Sequence, residues 1–328
     1  MAKKAQEPLR VGLFVGREWS WPPAFIEEVN QRQAGVIAEY VKVGGTMMND
    51  PCPYRVIIDR ISHEVPYYRS YLKNAVLQGV KVINDPFMWT ADDKFFDASL
   101  ATRLGVVSPK TIVLPNKDYV PGIVHDESLR NLKYPLDWNY LVEQIGGTPC
   151  VLKDAHGGGW KEVYIVHSIA ELIWRYNQSG LRTMILQEYI QWDNYARCYC
   201  LGGSDVHVMK YKPGKDGQGH YHDDHDFSPA LYDRLARDSI TLCQAVGYDM
   251  NAVEFAIKDG LPYVIEYMNP APDMDVNSLG RKNFDWMVTH MADMAVRLAK
   301  SNERTLDRYV WAKLLKGKKP AASNRGAE

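Results

Sequence analysis

Asn251-Ala-Val-Glu-Phe-Ala-Ile-Lys-Asp-Gly-Leu-Pro-Tyr-Val-Ile-Glu-Tyr-Met-Asn269 reads as two β-rich runs joined at Asp259-Gly260. An Asp-Gly pair in that setting is a strong hairpin signal, because both residues tolerate the backbone of a tight turn. A three-residue loop from Asp259 to Leu261 sets Lys258 opposite Pro262. In that register Val253 faces Tyr267, Phe255 faces Ile265 and Ile257 faces Tyr263, forming one apolar face. The other face sets Glu254 directly across from Glu266. Like charges facing each other on a sheet are destabilising unless a cation offsets them. A hard divalent ion with oxygen ligands is the natural choice. A solvent-facing strand with solvated glutamates is the plainer alternative.

Upstream, Val151-Leu-Lys-Asp-Ala-His-Gly-Gly-Gly-Trp-Lys-Glu-Val163 places three glycines between two strands. Bare backbone lets several N–H groups converge on an anion and lets a loop close over phosphates. Lys153, late in the first strand, reaches the same anion as a point charge. A flexible hairpin tip accounts for the glycines equally simply. The spacing is neither that of a P-loop nor that of the dinucleotide fingerprint. Ile185-Leu-Gln-Glu-Tyr-Ile190 is an apolar strand with a Gln-Glu pair. Alone it is a core strand, although exposed backbone there can bond an adenine edge and a nearby acid can bind ribose hydroxyls.

Working outward, residues 11–15, 54–59 and 80–83 read as buried strands, with helices over 22–31 and 65–77 between them. That alternation predicts a parallel sheet with helical crossovers. Ligands bind beyond the carboxyl ends of such strands, which places Gly16-Arg17-Glu18, Asp59-Arg60 and Asn84-Asp85 near one edge. Pro109, Pro115, Pro121 and Pro135 then punctuate a loop-rich connection. Strands follow over 151–154, 162–166, 183–189, 196–201 and 206–211, with helices over 169–177, 229–246 and about 279–300. Residues 213–226 read as a loop rich in Gly, His and Asp. The tail from 316 to 328 is small, basic and polar, and is expected to be disordered.

A length of 328 residues suits two or three domains, and 46% hydrophobic residues supply ample core. A net charge of −1 argues against a nucleic-acid partner. No run approaches the roughly 18 apolar residues of a membrane span, and the polar N-terminus lacks the apolar stretch of a signal peptide. Five cysteines at Cys52, Cys150, Cys198, Cys200 and Cys243 suggest no disulfide framework, so a cytoplasmic location is expected. Cys198 and Cys200 share a strand face, but two thiols alone do not make a zinc site.

Taken in order, Asp93-Lys94, Leu104-Gly-Val-Val-Ser-Pro-Lys-Thr111, Lys153 with its glycine loop, Leu186-Gln-Glu-Tyr-Ile190 and the acidic hairpin ending Asn269-Pro270 resemble the ATP-grasp superfamily. The glutathione synthetase-like and ribosomal-protein glutamate ligase branch is the nearest in character. The resemblance spans roughly residues 81–272. It implies an α/β and α+β architecture. An N-terminal parallel-sheet (pre-ATP-grasp) domain takes residues 1–108 and a small central lid subdomain takes 109–190. A mainly antiparallel C-terminal subdomain takes 191–315, with the tail at 316–328. It implies ATP and two Mg²⁺ ions.

On these residues, the resemblance implies that Lys94 and Lys153 contact the phosphates while Gly157, Gly158 and Gly159 close over them. Gln187, Glu188, Tyr189 and Ile190 would lie along adenine, with Glu188 or Asp193 near base and ribose. Glu254, Glu266 and Asn269 would hold magnesium. The family usually has its asparagine two residues after the acid. Glu266-Tyr-Met-Asn269 has one more, which requires a bulge or a displaced ligand. Arg197, Lys210 and Arg281 are catalytic candidates toward phosphate or a substrate carboxylate; exposed strand charges and a helix cap are the plain alternatives.

The implied activity is ADP-forming ligation of a carboxylate to an amine through an acyl phosphate, on a small molecule or peptide. A kinase on the same scaffold and a non-catalytic nucleotide-binding module are the other readings. The expected partners are carboxylate and amine substrates, with no nucleic acid or membrane and with room for a homodimer. Candidates to line the substrate pocket are Arg17, Glu18, Trp19 and Trp21, then Asp59, Arg60, His63 and Glu64. The cluster His220-Tyr-His-Asp-Asp-His-Asp226 has donors suited to a transition metal, but its irregular spacing favours a solvated or substrate-covering loop.

Overall fold

The computed structural model describes residues 7–88, 93–123, 128–158, 161–214, 219–222 and 224–317. The phosphate-loop candidate Gly159 and nearly all of the tail expected to be disordered lie outside the described residues. Among the described residues no helix is long and apolar enough to cross a membrane.

The chain begins with β1 (Leu9–Phe14), α1 (Trp21–Gln31), β2 (Val36–Tyr40), β3 (Val56–Asp59), α2 (Pro66–Leu77) and β4 (Lys81–Ile83). These strands form a parallel sheet in the order β2-β1-β3-β4. Val56, Ile57 and Ile58 are fully buried, as expected for a parallel strand covered on both faces. Both helices open with proline in their first turn, where the missing N–H costs nothing. Strand β2 was not expected. It is a short edge strand in which only Val36 and Ala38 are buried, and its apolar run stops after three residues, Val36-Ile37-Ala38.

Next come α3 (Lys94–Arg103), β5 (Thr111–Val113), α4 (Trp138–Gln144), β6 (Cys150–Asp154), β7 (Val163–Val166), α5 (Ile169–Asn177) and β8 (Met184–Glu188). β5, β8, β6 and β7 make a second, antiparallel sheet in that order. Helix α3 starts where Asp93 accepts hydrogen bonds from the Phe95 and Phe96 backbone N–H groups.

The third sheet is built from β9 (Asn194–Leu201), β10 (Asp205–Lys212), β11 (His220–Tyr221), β12 (Met250–Lys258) and β13 (Leu261–Glu266). Its order is β11-β10-β9-β12-β13, and its pairings are antiparallel. One face, carrying Ala196, Cys198, Val208, Val253 and Phe255, shares a core with α6 (Pro229–Val246). The opposite face carries Tyr199, Met209, Met250 and Ala252. These share a core with β1, β3 and α8 (Arg281–Lys300), which follows the short α7 (Val276–Leu279). Helix α8 therefore fastens the third sheet to the first. Ala101 and Val106 belong to the α6-side core, so the segment from 94 to 106 packs against the third sheet.

The decisive hairpin has a different tip from the one expected. Its loop is two residues, Asp259 and Gly260, both at positive φ (51° and 74°), the backbone that suits the twist of paired strands. Lys258 pairs with Leu261, Ala256 with Tyr263 and Phe255 with Val264. A bulge then absorbs Ile265 and restores Glu254 opposite Glu266. Tyr263 and Ile265, expected on the apolar face with Phe255, pack instead near Ala256, Tyr195 and Tyr211. A second offset follows. Tyr267 and Met268 are both buried on the α6 side, and the Ala252 N–H bonds the Asn269 carbonyl at 3.2 Å.

Candidate active site

A cavity of about 1270 Å³ opens where the three sheets meet. Its walls come from the β3–α2 connection, the β6–β7 glycine loop, the open end of the third sheet, the segment after β13, and α7. Two side-chain networks hold these parts together. Asn84, beyond β4, donates to the Met250 and Pro270 carbonyls and accepts from the Asp249 and Met250 N–H groups. Arg60, beyond β3, is ion-paired with Glu18, donates to the Pro272 carbonyl and lies over the Trp21 ring. Arg60, Glu18 and Trp21 therefore brace the cavity from behind, where a substrate-lining role was expected. Asp59 is likewise buried, holding the turn at Ile61 and Ser62. Arg60→Met should lower stability by about 3 kcal/mol, because it strands a buried partner; urea unfolding measures it.

Glu254 and Glu266 both line the cavity, as does Asn269. The Tyr195 hydroxyl donates to Glu254 Oε2 at 2.8 Å, and Arg197 Nε lies 3.4 Å from Oε1. Burial pushes the Glu254 carboxyl above its usual pKa, with Arg197 opposing and Glu266 adding to the rise. The Arg197 guanidinium sits 5.3 Å from the Tyr211 ring centre and 5.8 Å from that of Tyr221. These tyrosines were not singled out from the sequence, although Tyr195, Arg197 and Tyr199 alternate on one face by the strand period.

The cations approach from the other side. Lys153 is only 6% exposed, and burial lowers its pKa to about 8, with Glu266 the main opposing influence and Lys94 adding repulsion. Lys94, the first residue of α3, places Nζ 3.4 Å from Glu266 Oε1 and donates to the Gly157 carbonyl. Its backbone N–H bonds the Ala155 carbonyl at 3.0 Å. At Gly157 a Cβ would come within 2.9 Å of the Asp154 side chain, so this turn of the loop requires glycine. His156, Gly157 and Gly158 all reach the cavity wall.

The same arrangement of sheets occurs in solved structures over nearly their full length. D-alanine–D-alanine ligase from Bacillus anthracis matches with a TM-score of 0.61 at 17% identity, over 89% of this chain and 97% of that one; it has also been solved with ATP. A RimK domain ATP-grasp protein from Sphaerobacter thermophilus matches with a TM-score of 0.58 at 17% identity, over 88% and 99%. The ATP-grasp ligase PsnB, in complex with a minimal precursor, matches with a TM-score of 0.60 at 13% identity, over 89% and 100%. PsnB has also been solved with Mg and ADP. The chain has the ATP-grasp fold. No protein-family model matches it, and no curated protein matches it by sequence.

Other candidates fall elsewhere in this ATP-grasp fold. The Gln187 side chain donates to Thr111 Oγ1 at 2.8 Å, and Glu188 Oε2 accepts from the Lys110 N–H at 3.2 Å. Tyr189 and Ile190 continue the crossing toward the third sheet, where Ile190 is buried beside Tyr195. Asp193 caps the hairpin tip by accepting the Asp259 N–H at 2.9 Å, so its carboxylate is engaged away from the cavity. Lys210 pairs in register with Ala196, which places it on the α6 face of the sheet, opposite Arg197. There it meets Asp226 at 2.8 Å. Arg281 is also outside the cavity wall; its side chain is 78% exposed and paired with Asp285.

In the histidine-rich segment, Asp224 pairs with Lys282, and His225 stacks on Phe227 and Tyr232. Only His220 and Tyr221 of its described residues line the cavity; Asp223 lies outside the described residues. His63 does line it, as expected. Ser62, Arg69, Asp273, Asn277 and Ser278 also line it and had not been picked out.

Proposed function

We propose that this protein is an ATP- and magnesium-dependent, ADP-forming carboxylate–amine ligase acting through an acyl phosphate. The observation that carries the reading is Glu254 and Glu266, paired across one hairpin on the cavity wall, with Lys94, Lys153 and the glycine loop converging on them. ATP-grasp neighbours solved with ATP, or with Mg and ADP, support the choice of nucleotide and ion.

The donor set fits magnesium. Glu254, Glu266 and the Asn269 amide offer oxygen only, as a hard cation prefers. Among the described residues no group of three or more His, Cys, Asp or Glu gathers as a complete cage. Two carboxylates and an amide leave positions for phosphate oxygens and water, the usual division for this ion. The bound ion would neutralise phosphate charge and offset the repulsion between the glutamates. Lys94 and Lys153 would hold phosphate oxygens, and Gly157 to Gly159 would close above them and exclude water. Gln187 to Ile190 would lie along the adenine. Arg197, oriented by two tyrosine rings and Glu254, would steady the substrate carboxylate as it attacks the γ-phosphate and ADP leaves.

A matrix of amino acids, small peptides and organic acids, assayed for ADP and phosphate release, tests this reading. ADP release that requires both an acid and an amine is the expected result. A stable phosphorylated product would mark a kinase, and magnesium-dependent ATP binding without turnover would mark a binding module.

A further inference from the structure

Glu254 stands opposite Glu266, and a regular ladder running on from that pair would set Ala252 opposite Met268. Instead the Ala252 N–H bonds the Asn269 carbonyl at 3.2 Å. Val253 therefore opposes two residues, Tyr267 and Met268, and all three are buried in the core shared with α6. Residues two apart on a strand share a face. Moved across from Ala252, Asn269 returns to the face of Glu254 and Glu266 and lines the cavity with them. The extra residue between Glu266 and Asn269 is absorbed as a bulge.

A bulge takes backbone groups out of the ladder, and buried ones need other partners. Asn251 supplies them. It lies on β12, is fully buried and is no part of the cavity wall. Its Oδ1 accepts the Asn269 N–H at 3.0 Å. Its Nδ2 donates to the Tyr267 carbonyl at 2.5 Å and to Cys243 Sγ, on α6, at 3.3 Å. A side-chain amide carries acceptor and donor on separate atoms, as a peptide group does. Here it spans the bulge in place of one. The Asn269 N–H can only donate, so the Asn251 oxygen must face it and the amide has one orientation. The Tyr267 hydroxyl donates to the Asp97 carbonyl at 2.8 Å, which ties the same bulge to α3, the helix that opens with Lys94.

We infer that Asn251 is a positioning residue for the metal site. By bonding both ends of the bulge it holds Asn269 on the wall beside Glu254 and Glu266. The inference rests on the magnesium reading and goes beyond it, to a residue that touches neither ion nor nucleotide.

The test is a double-mutant cycle on Mn²⁺ affinity, read by electron paramagnetic resonance with protein in excess over a non-hydrolysable ATP analogue. It compares the native protein, Asn251→Leu, Asn269→Ala and the double variant. Asn251→Leu is expected to weaken Mn²⁺ binding about 10-fold, within the usual range for losing a partner that orients a metal ligand. The double variant should bind no more weakly than Asn269→Ala alone, because one residue acts through the other. A role in folding alone would lower the thermal midpoint of Asn251→Leu and leave its Mn²⁺ affinity native. That result overturns the inference and leaves the metal reading standing. So does a loss that recurs undiminished in the Asn269→Ala background. A native protein that adds nothing to the Mn²⁺ binding of the analogue itself sinks the metal reading and the inference with it. If Asn251→Leu does not fold, Asn251→Ser, which keeps a hydroxyl for one of the two backbone groups, carries the cycle with the same outcomes.

Discussion

Glu254→Gln and Glu266→Gln are each expected to lower ATP turnover by at least about a thousandfold, the scale of losing metal-borne charge stabilisation, with the fold kept. The two carboxylates face each other across the hairpin beside the register slip between Glu254 and Phe255. Under the proposed reading they would receive the divalent ion beside Lys94, whose Nζ lies 3.4 Å from Glu266. Glutamine keeps the shape and can still accept the Tyr195 hydrogen bond, but it halves the anionic charge offered to the ion. Glu254→Gln also leaves Arg197 without its carboxylate, at a cost of about 2 kcal/mol, moderated by the two tyrosine rings. Glu266→Gln relieves the repulsion across the hairpin and should leave stability nearly unchanged. A coupled ADP assay beside thermal unfolding separates the effects, and near-normal turnover in either variant removes the metal assignment.

Lys153→Met is expected to weaken Mg-ATP binding about 100-fold, the worth of a buried charge-assisted contact, and yet to stabilise the nucleotide-free protein. Burial already lowers the Lys153 pKa to about 8, so the folded state holds its proton less tightly than the unfolded chain does. Between that value and the ordinary lysine range, the unfolded state binds the extra proton. This group's contribution to stability therefore rises with pH across that window. Methionine removes the penalty of burying the charge. Nucleotide affinity moves in the opposite sense. Lys153 is charged at pH 7 and loses its proton above about pH 8, so Mg-ATP affinity in the native protein should fall as pH rises past 8. The fall should be absent in Lys153→Met. Titration calorimetry from pH 7 to 9 measures both, and a pH-independent affinity in the native protein contradicts the placement of Lys153 on phosphate.

The features legible in the sequence were those written into local pattern. Asp259-Gly260 announced the hairpin, and helices α5 and α6 were read from the sequence with the bounds they have in the structure. The register at the hairpin tip was misread because a two-residue turn and a three-residue loop fit the same letters. The Glu254–Glu266 opposition survived only because the bulge at Ile265 returned the residue that the shorter turn removed. The facing of Lys210 depends on which residue of β10 pairs with Ala196, a cross-strand fact that neither strand carries alone. Arg69, Asp273 and Asn277 stayed hidden for another reason. They lie about 200 residues apart in sequence and share one cavity because Arg60, Asn84 and α8 bind the first sheet to the third.

The most direct measurement is the anomalous scattering of manganese in crystals grown with Mn²⁺ and a non-hydrolysable ATP analogue. The predicted result is a peak between the Glu254 and Glu266 carboxylates, bridging to phosphate oxygens within reach of Lys153. A nucleotide bound with its metal elsewhere, or with those two side chains turned away from it, would contradict the central claim.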